Sequence, residues 1–323
     1  WSIDNSWRSQ ADRPGEDSQR ATAGSVRLVS DAWTPATLTV IAAHGDSNND
    51  YSFDADWGNP ETWAPFTFDY FGRSDRDRRT SSLEVRLTSA PPQDVGDVAW
   101  LAGIYRVRLH GDGRDLGQGA FLDPSDPLSA SSYEEVLFSR YRASNVAFFG
   151  QLDGRLTERL RWSAGLRGEQ READYVDSGI WQGFDRDSDL ESTDSMSGGQ
   201  LSLSFDVSPE ATWYAAVSRG YKAGGFNLGN VPPQRLAYEP EYLWSLEGGL
   251  KRSWLGGRLY SDTTLFYSYR RNVQVRTGEQ LDPSDPNTYV FFTDNASTGY
   301  NYGLESSLRW RASQRWEFGG SLG

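Results

Sequence analysis

The densest concentration of side chains able to hold a solute lies between Tyr51 and Arg79. Tyr51, Phe53, Trp57, Trp63, Phe66, Phe68, Tyr70 and Phe71 crowd this stretch. Such a set could stack on a sugar ring or an aromatic metal chelator; equally, it could pack on itself to order a long loop. Arg73, Arg76, Arg78 and Arg79 follow. Guanidinium forks attract anionic complexes, unless Asp69, Asp75 and Asp77 neutralise them within the same run. Asp185, Asp187, Asp189 and Glu191 alternate as D-x-D-x-D-x-E. Hard carboxylate oxygens suit Ca²⁺, but the EF-hand glycine is missing and no helices flank the run. An acidic, solvated loop is the competing reading. Leu-Asp-Pro-Ser-Asp-Pro occurs twice, at Leu122–Pro127 and Leu281–Pro286, and reads as repeated turn chemistry because Asp-Pro starts turns.

Catalytic patterns are missing. With Cys 0 the chain has no thiolate nucleophile, thiolate metal site or disulfide framework. His44 and His110 are the only histidines, too isolated for a metal cage, and neither falls in a serine-nucleophile motif. Gly224-Gly225 follows a strand-like run with no helix after it, so it is no phosphate loop. No enzyme activity, metal or cofactor is expected. A formal net charge of −13 offers no continuous basic face to phosphates and argues against nucleic acid as a partner.

The elements that must carry these side chains are strands. Of the 323 residues 37% are hydrophobic, 14% are aromatic and 33 are glycine. This balance disfavours a helical bundle or an α/β enzyme. In Tyr300–Arg311, Tyr300, Tyr302, Leu304, Leu308 and Trp310 alternate with Asn301, Glu305, Ser307, Arg309 and Arg311. Only a period of two separates residues this way. The pattern repeats in Glu241–Lys251, Gln200–Val207 and Arg161–Glu169, and in a shorter copy through Leu83, Val85 and Leu87. Trp162, Leu166, Leu203, Phe205, Trp244, Leu246, Leu304 and Leu308 are therefore expected on one face. Arg167, Ser204, Glu247, Glu305 and Arg309 are expected on the other.

Connections alternate in length. Thr157–Arg159, Ser208–Glu210, Leu255–Gly257 and Ala312–Gln314 read as tight turns, while 51–78, 111–143, 176–195, 223–240 and 274–297 read as long polar loops. Short turns at one end and long loops at the other mark an outer-membrane barrel, with about thirteen strands here. No apolar run approaches the ~18 residues of a membrane helix, a test that barrel strands never meet. Trp162, Trp213, Trp254, Trp310 and Trp316 sit beside tight turns, where an interfacial girdle belongs. A β-propeller would need four short strands per repeat, and a sandwich does not sort its connections by length.

Several stretches then carry a family resemblance. Tyr214-Ala-Ala-Val-Ser-Arg-Gly-Tyr-Lys-Ala-Gly-Gly-Phe-Asn227 is followed by Tyr238-Glu-Pro-Glu241, Leu246-Glu-Gly-Gly-Leu-Lys251 and Leu265-Phe-Tyr267. Ser82-Leu-Glu-Val-Arg-Leu-Thr88, Leu101-Ala-Gly-Ile-Tyr105, Gly165-Leu-Arg167 and Gly303-Leu-Glu305 keep the same collinear order. The series resembles the barrel of TonB-dependent outer-membrane receptors. That resemblance implies an antiparallel up-and-down transmembrane barrel of about 22 strands with a plugged lumen, and uptake energised through TonB. On the family's order, residues 1–323 form part of one barrel domain. The plug, roughly four earlier strands and about five later ones are expected in a longer protein.

The reading that follows is an outer-membrane receptor, surrounded by lipid, for a scarce, bulky solute: a ferric siderophore or other metal chelate, a cobalamin-like cofactor or an oligosaccharide. The candidate contacts in outer loops and lumen are Trp57, Trp63, Phe66, Tyr70, Arg73, Arg76, Trp181, Arg219 and Asn227. A passive porin or secretion barrel, and a soluble carbohydrate-binding propeller, are the alternatives.

Overall fold

The computed structural model describes residues 10–32, 36–181, 183–228, 231–281, 283–284 and 289–323. Strands dominate it. They are β1 (Glu16–Ser30), β2 (Ala36–Asp54), β3 (Thr67–Ser89), β4 (Val98–Asp123), β5 (Asp126–Arg155), β6 (Leu160–Trp181), β7 (Phe184–Ser208), β8 (Ala211–Lys222), β9 (Gly225–Phe226), β10 (Ala237–Tyr238), β11 (Glu241–Trp254), β12 (Leu259–Gln280), β13 (Tyr289–Arg311) and β14 (Glu317–Leu322). Twelve of them form one antiparallel sheet in chain order, β1 to β8 and then β11 to β14. β9 and β10 pair separately within the connection between β8 and β11. The sheet is not closed: β1 and β14 are its edges.

The register sorts the side chains as the alternation requires. Trp162, Leu203, Ala215, Gly248, Leu265 and Leu304 form one cross-strand row. Leu166, Gly199, Arg219 and Trp244 form a parallel row on the same face. Ser204, Tyr214, Gly249, Thr264 and Glu305 lie in an intervening row that faces the other way. Leu166 is 78% exposed, Leu265 61% and Leu246 59%. Contiguous apolar rows this exposed are untenable in water and fit contact with lipid. The opposite face holds the most buried positions, including Ala147, Tyr175 and Met196. The sheet curls around that face: residues from β3–β6 and from β12–β13 line a single cavity.

The tight turns behave as expected, but most of the long loops are extended hairpins. β4 and β5 run on through 111–143, with only residues 124–125 between them. β6 and β7 likewise continue through most of 176–195. Beyond the bilayer both faces of a hairpin meet water, so both carry polar residues and the hydrophobic alternation disappears. The second Leu-Asp-Pro-Ser-Asp-Pro repeat falls partly on Asp282, Asp285 and Pro286, outside the described residues. In the first, Asp123 accepts hydrogen bonds from Ser125 and closes the β4–β5 turn.

Candidate functional site

The aromatic stretch between β2 and β3 is mostly a self-packed wall. Asn59 caps a four-residue helix, Pro60–Trp63, by accepting from Glu61 N and Thr62 N. Buried Asp56 accepts hydrogen bonds from Tyr70 N at 2.7 Å, Trp63 Nε1 at 2.9 Å and Gly58 N at 2.9 Å. Burial alone would raise its pKa, but these donors hold the carboxyl below its ordinary range. Trp63 then packs on Phe68 at 4.8 Å, Phe68 on Tyr70 at 4.6 Å and Tyr70 on Tyr133 at 5.9 Å. Trp57, 78% exposed, and Phe66 stand toward solvent instead.

The arginines after that wall do not act together, because a strand divides them. Arg76 and Arg78 line the cavity. Arg73 and Arg79 are on the other face: Arg73 binds Asp75 at 2.8 Å, and Arg79 lies 3.7 Å from Asp46. Arg76 is itself held by Asp115, whose two oxygens accept at 2.6 and 2.8 Å. The remaining candidates also part company. Trp181 lines the cavity. Arg219 belongs to the outward row and spreads over Tyr242 at 4.3 Å, with Trp244 at 5.9 Å. Asn227 is buried, and its amide is spent on backbone. Nδ2 donates to Thr293 O at 2.7 Å and Arg235 O at 2.6 Å, while Oδ1 accepts from Thr293 N at 2.7 Å. Asn227 therefore pins the β8–β11 connection to β13.

That connection roofs a cavity of about 1020 Å³ on the concave face near the loop ends of the strands. Gly224 and Gly225 make the roof possible: a Cβ at either would collide with the Tyr238 carbonyl or ring hydroxyl, so β9 could not close on β10. Phe226 reaches across to Tyr141 at 6.5 Å and Tyr175 at 6.4 Å. Burial, and then the Asp177 charge, push the Tyr175 phenol well above its usual range, so it serves only as a neutral donor. Arg171 on the cavity wall pairs with Asp194 at 2.8 Å and also donates to Tyr141. Among the described residues, Arg78 and Arg276 have no ion pair, and both line this cavity. Tyr141, Tyr238 and Arg276 escaped the sequence reading because they lie in segments read as long polar loop, and Arg171 and Tyr175 because they fall between the strand read to Glu169 and the loop read from 176. The signal available was spacing: Arg171, Tyr175 and Asp177 keep the parity of Arg167 and Glu169.

Asp185, Asp187, Asp189 and Glu191 are strand residues of β7, all exposed on one face. A straight strand holds such carboxylates about 7 Å apart, so they do not converge. Among the described residues no group of three or more potential ligands forms a metal site. The register also makes a contact that the sequence reading lacked. His44 lies 2.8 Å from Ser81 Oγ and 3.0 Å from Asp46 Oδ2. The three sit half-exposed on a continuous β-ladder whose backbone N–H groups are committed to pairing, so no oxyanion hole faces Ser81.

A family model described as TonB dependent receptor-like, beta-barrel, matches residues 1–323. Among solved structures, the ferric yersiniabactin uptake receptor FyuA from Yersinia pestis aligns with a TM-score of 0.67 and 17% identity, over 94% of this chain and 42% of that one. The siderophore receptor PiuA from Acinetobacter baumannii gives 0.63 and 15%, over 94% and 47%. The copper transporter OprC gives 0.68 and 15%, over 96% and 47%. At such identities the likeness is one of fold. The chain spans less than half the length of each of these proteins.

Proposed function

The chain belongs to the TonB-dependent receptor β-barrel family, and from that premise we propose that its parent protein is an outer-membrane receptor importing a bulky anionic chelate. Its cavity, about 1020 Å³ with aromatic walls and with Arg78 and Arg276, which make no ion pair among the described residues, is the observation that supports this. The volume suits a ligand larger than a simple ion or monosaccharide. Tyr141, Tyr175, Trp181 and Phe291 supply flat apolar surface, and the two guanidinium groups supply charge complementarity. Arg76 and Arg171 are already neutralised by Asp115 and Asp194 and serve to stiffen the wall.

In this reading residues 1–323 are the middle of one barrel in the outer membrane of a Gram-negative cell, and a plug precedes it in the whole protein. TonB acts on the plug, and the lumen-facing charges of the barrel hold it. Arg167, Glu169, Tyr221 and Asn145 form one such polar cluster, with Tyr221 donating to Glu169 at 2.7 Å. The chain's own residues bind and orient; the reading assigns no chemical step to them.

The test is binding and TonB-dependent uptake by the intact protein, with a panel of ferric chelates, cobalamin and oligosaccharides. Arg78→Gln and Arg276→Gln should each weaken binding of an anionic chelate by about ten-fold, the value of one charge-assisted hydrogen bond. Unchanged affinity in both variants, or preference for a neutral solute, would overturn the anionic assignment. Uptake that persists without TonB would overturn the receptor reading.

A further inference from the structure

A second surface lies on the outside of the barrel and above the bilayer, where neither the solute path nor lipid tails reach. A transmembrane strand takes about 9–11 residues. Counted from the tight-turn ends, the span stops near Leu109 on β4, Asn145 on β5, Arg171 on β6 and Ser197 on β7. Beyond that level two cross-strand rows run over the outward face. One is Arg114, Phe138, Ser178 and Asp187; the other is Asp112, Arg140, Val176 and Asp189. Ile180 stands next to the first row on β6, opposite Asp185. Phe138 is 54% exposed, Ile180 45% and Val176 38%. On hairpins that stand in water, an apolar strip rimmed by charge marks a protein contact.

The two rims carry opposite signs. On the β7 side Asp185, Asp187, Asp189 and Glu191 are all exposed on this face. On the β4–β5 side Arg114, Arg140 and Arg142 are exposed. Among the described residues, none of the four carboxylates enters an ion pair, and neither do Arg114 and Arg142. Arg140 shares Asp112 with His110, and Asp75, opposite Arg114, is already held by Arg73 at 2.8 Å. The face is therefore basic, apolar and acidic in turn across four adjacent strands, a width of about 14 Å.

We propose that this face binds a second copy of the chain, in a dimer whose two-fold axis runs along the membrane normal between β5 and β6. Rotation about that axis lays the β4–β5 side of each copy against the β7 side of the other, so arginines meet carboxylates twice and the two apolar strips meet at the centre. Such self-complementarity selects a second copy over a partner of one charge sign, which would be repelled by one of the two rims. Strand tilt shifts which carboxylate each arginine meets, but the acidic stripe covers four alternate positions, about 20 Å, and stays within reach. The inference rests on the barrel's place in the outer membrane and not on what it transports.

Residues 1–323 contain no cysteine, so a single thiol can be placed here on the intact protein at a chosen site. Cells carrying the Ser178→Cys protein, with its thiol beside the axis, are treated with a short bismaleimide, and dimer is read on denaturing gels. Thr298→Cys, also exposed but on β13, reports random encounters. Ser178→Cys should crosslink at least about five-fold more than Thr298→Cys. Adding Arg114→Glu and Arg140→Glu to Ser178→Cys should cut the yield about ten-fold, and so should adding Asp185→Lys, Asp187→Lys and Asp189→Lys. Co-expressing the two reversed chains should restore most of it, because the mixed dimer matches every charge. Heat-modifiable migration reports whether each variant is folded, and TonB-dependent uptake, measured separately, reports on the receptor reading alone. Equal crosslinking at residues 178 and 298, capture of a different protein at residue 178, or a yield that ignores the charge reversals would overturn the proposal.

Discussion

The roof of the cavity hangs on one side chain, and removing it is the most direct perturbation available. In Asn227→Ala three backbone groups, Thr293 N, Thr293 O and Arg235 O, lose their partner at a position only 7% exposed. Leaving a buried donor or acceptor unpaired costs about 1–3 kcal/mol, and partial access of water lowers the sum, so a loss of roughly 3 kcal/mol is expected. The connection's other polar ties gather at its two ends, where Gln274 donates to Ala223 O and Asn295 and Gln274 hold Glu239; between them stand Arg235 to Asp294 at 2.7 Å and the ring contacts of Phe226 with Tyr141 and Tyr175. The loss should therefore appear as local opening of the roof, with the barrel intact. Three kcal/mol is about a hundred-fold in an opening equilibrium. Amides of residues 225–238 should exchange with deuterium about a hundred-fold faster, while β11 and β12 keep their protection. Asn227→Asp, nearly isosteric, keeps the bond from Thr293 N but should not restore protection, because its other carboxylate oxygen would face the carbonyls of Thr293 and Arg235. Unchanged exchange in the alanine variant, or a stable aspartate variant, would refute the assignment of Asn227 as the pin.

Two further outcomes follow from facing and from charge. Leu203→Arg should cost about 2–4 kcal/mol of folding stability in lipid vesicles, and Ser204→Arg, one residue along the same strand and on the polar face, much less; equal costs would mean a soluble sheet or a wrong register. Asp56 has its folded pKa depressed, so its contribution is complete above the unfolded value of 3.8 and is lost as pH falls below it. Trp63 fluorescence in the intact protein should be constant from neutral pH down to that point and change below it. In Asp56→Asn the change should already be present at pH 7, and a pH-independent signal in the wild type would sink the account.

The membrane-spanning part of the fold was legible because one face meets lipid and the other a polar lumen. That contrast writes a period of two into the chain, as in Trp162, Ala164 and Leu166 against Arg161, Ser163 and Arg167. The register reproduces the split on every strand where the alternation was read. Past the bilayer the contrast vanishes. Asp112, Gly113, Arg114 and Asp115 look like loop, yet they pair residue by residue with β5. Parity survives there while polarity does not: Asp115 turns to Arg76 on the concave face, and Asp112 turns to His110 and Arg140 on the other.

The same distinction explains why the candidate site was read only in part. Composition singles out a cluster by its density along the chain, but a strand sends neighbours to opposite sides of a wall. Arg73 and Arg76 are three residues apart, so they part; Arg76 and Arg78 are two apart, so they share the cavity. Trp181 and Arg76 are distant in sequence and line one surface, because β3 to β6 are consecutive in a curled sheet. Asn227 shows a different failure. A polar residue after a Gly-Gly pair in a long loop has the sequence character of a ligand contact, and nothing local announces that Thr293, on another strand, consumes its amide. In a barrel of this kind the useful question of a polar side chain is therefore which residues share its parity at its height above the turns. Asked that way, Arg78, Tyr141, Tyr175 and Arg276 fall together on the cavity wall, and Arg73, Arg79 and Arg219 fall on the opposite face.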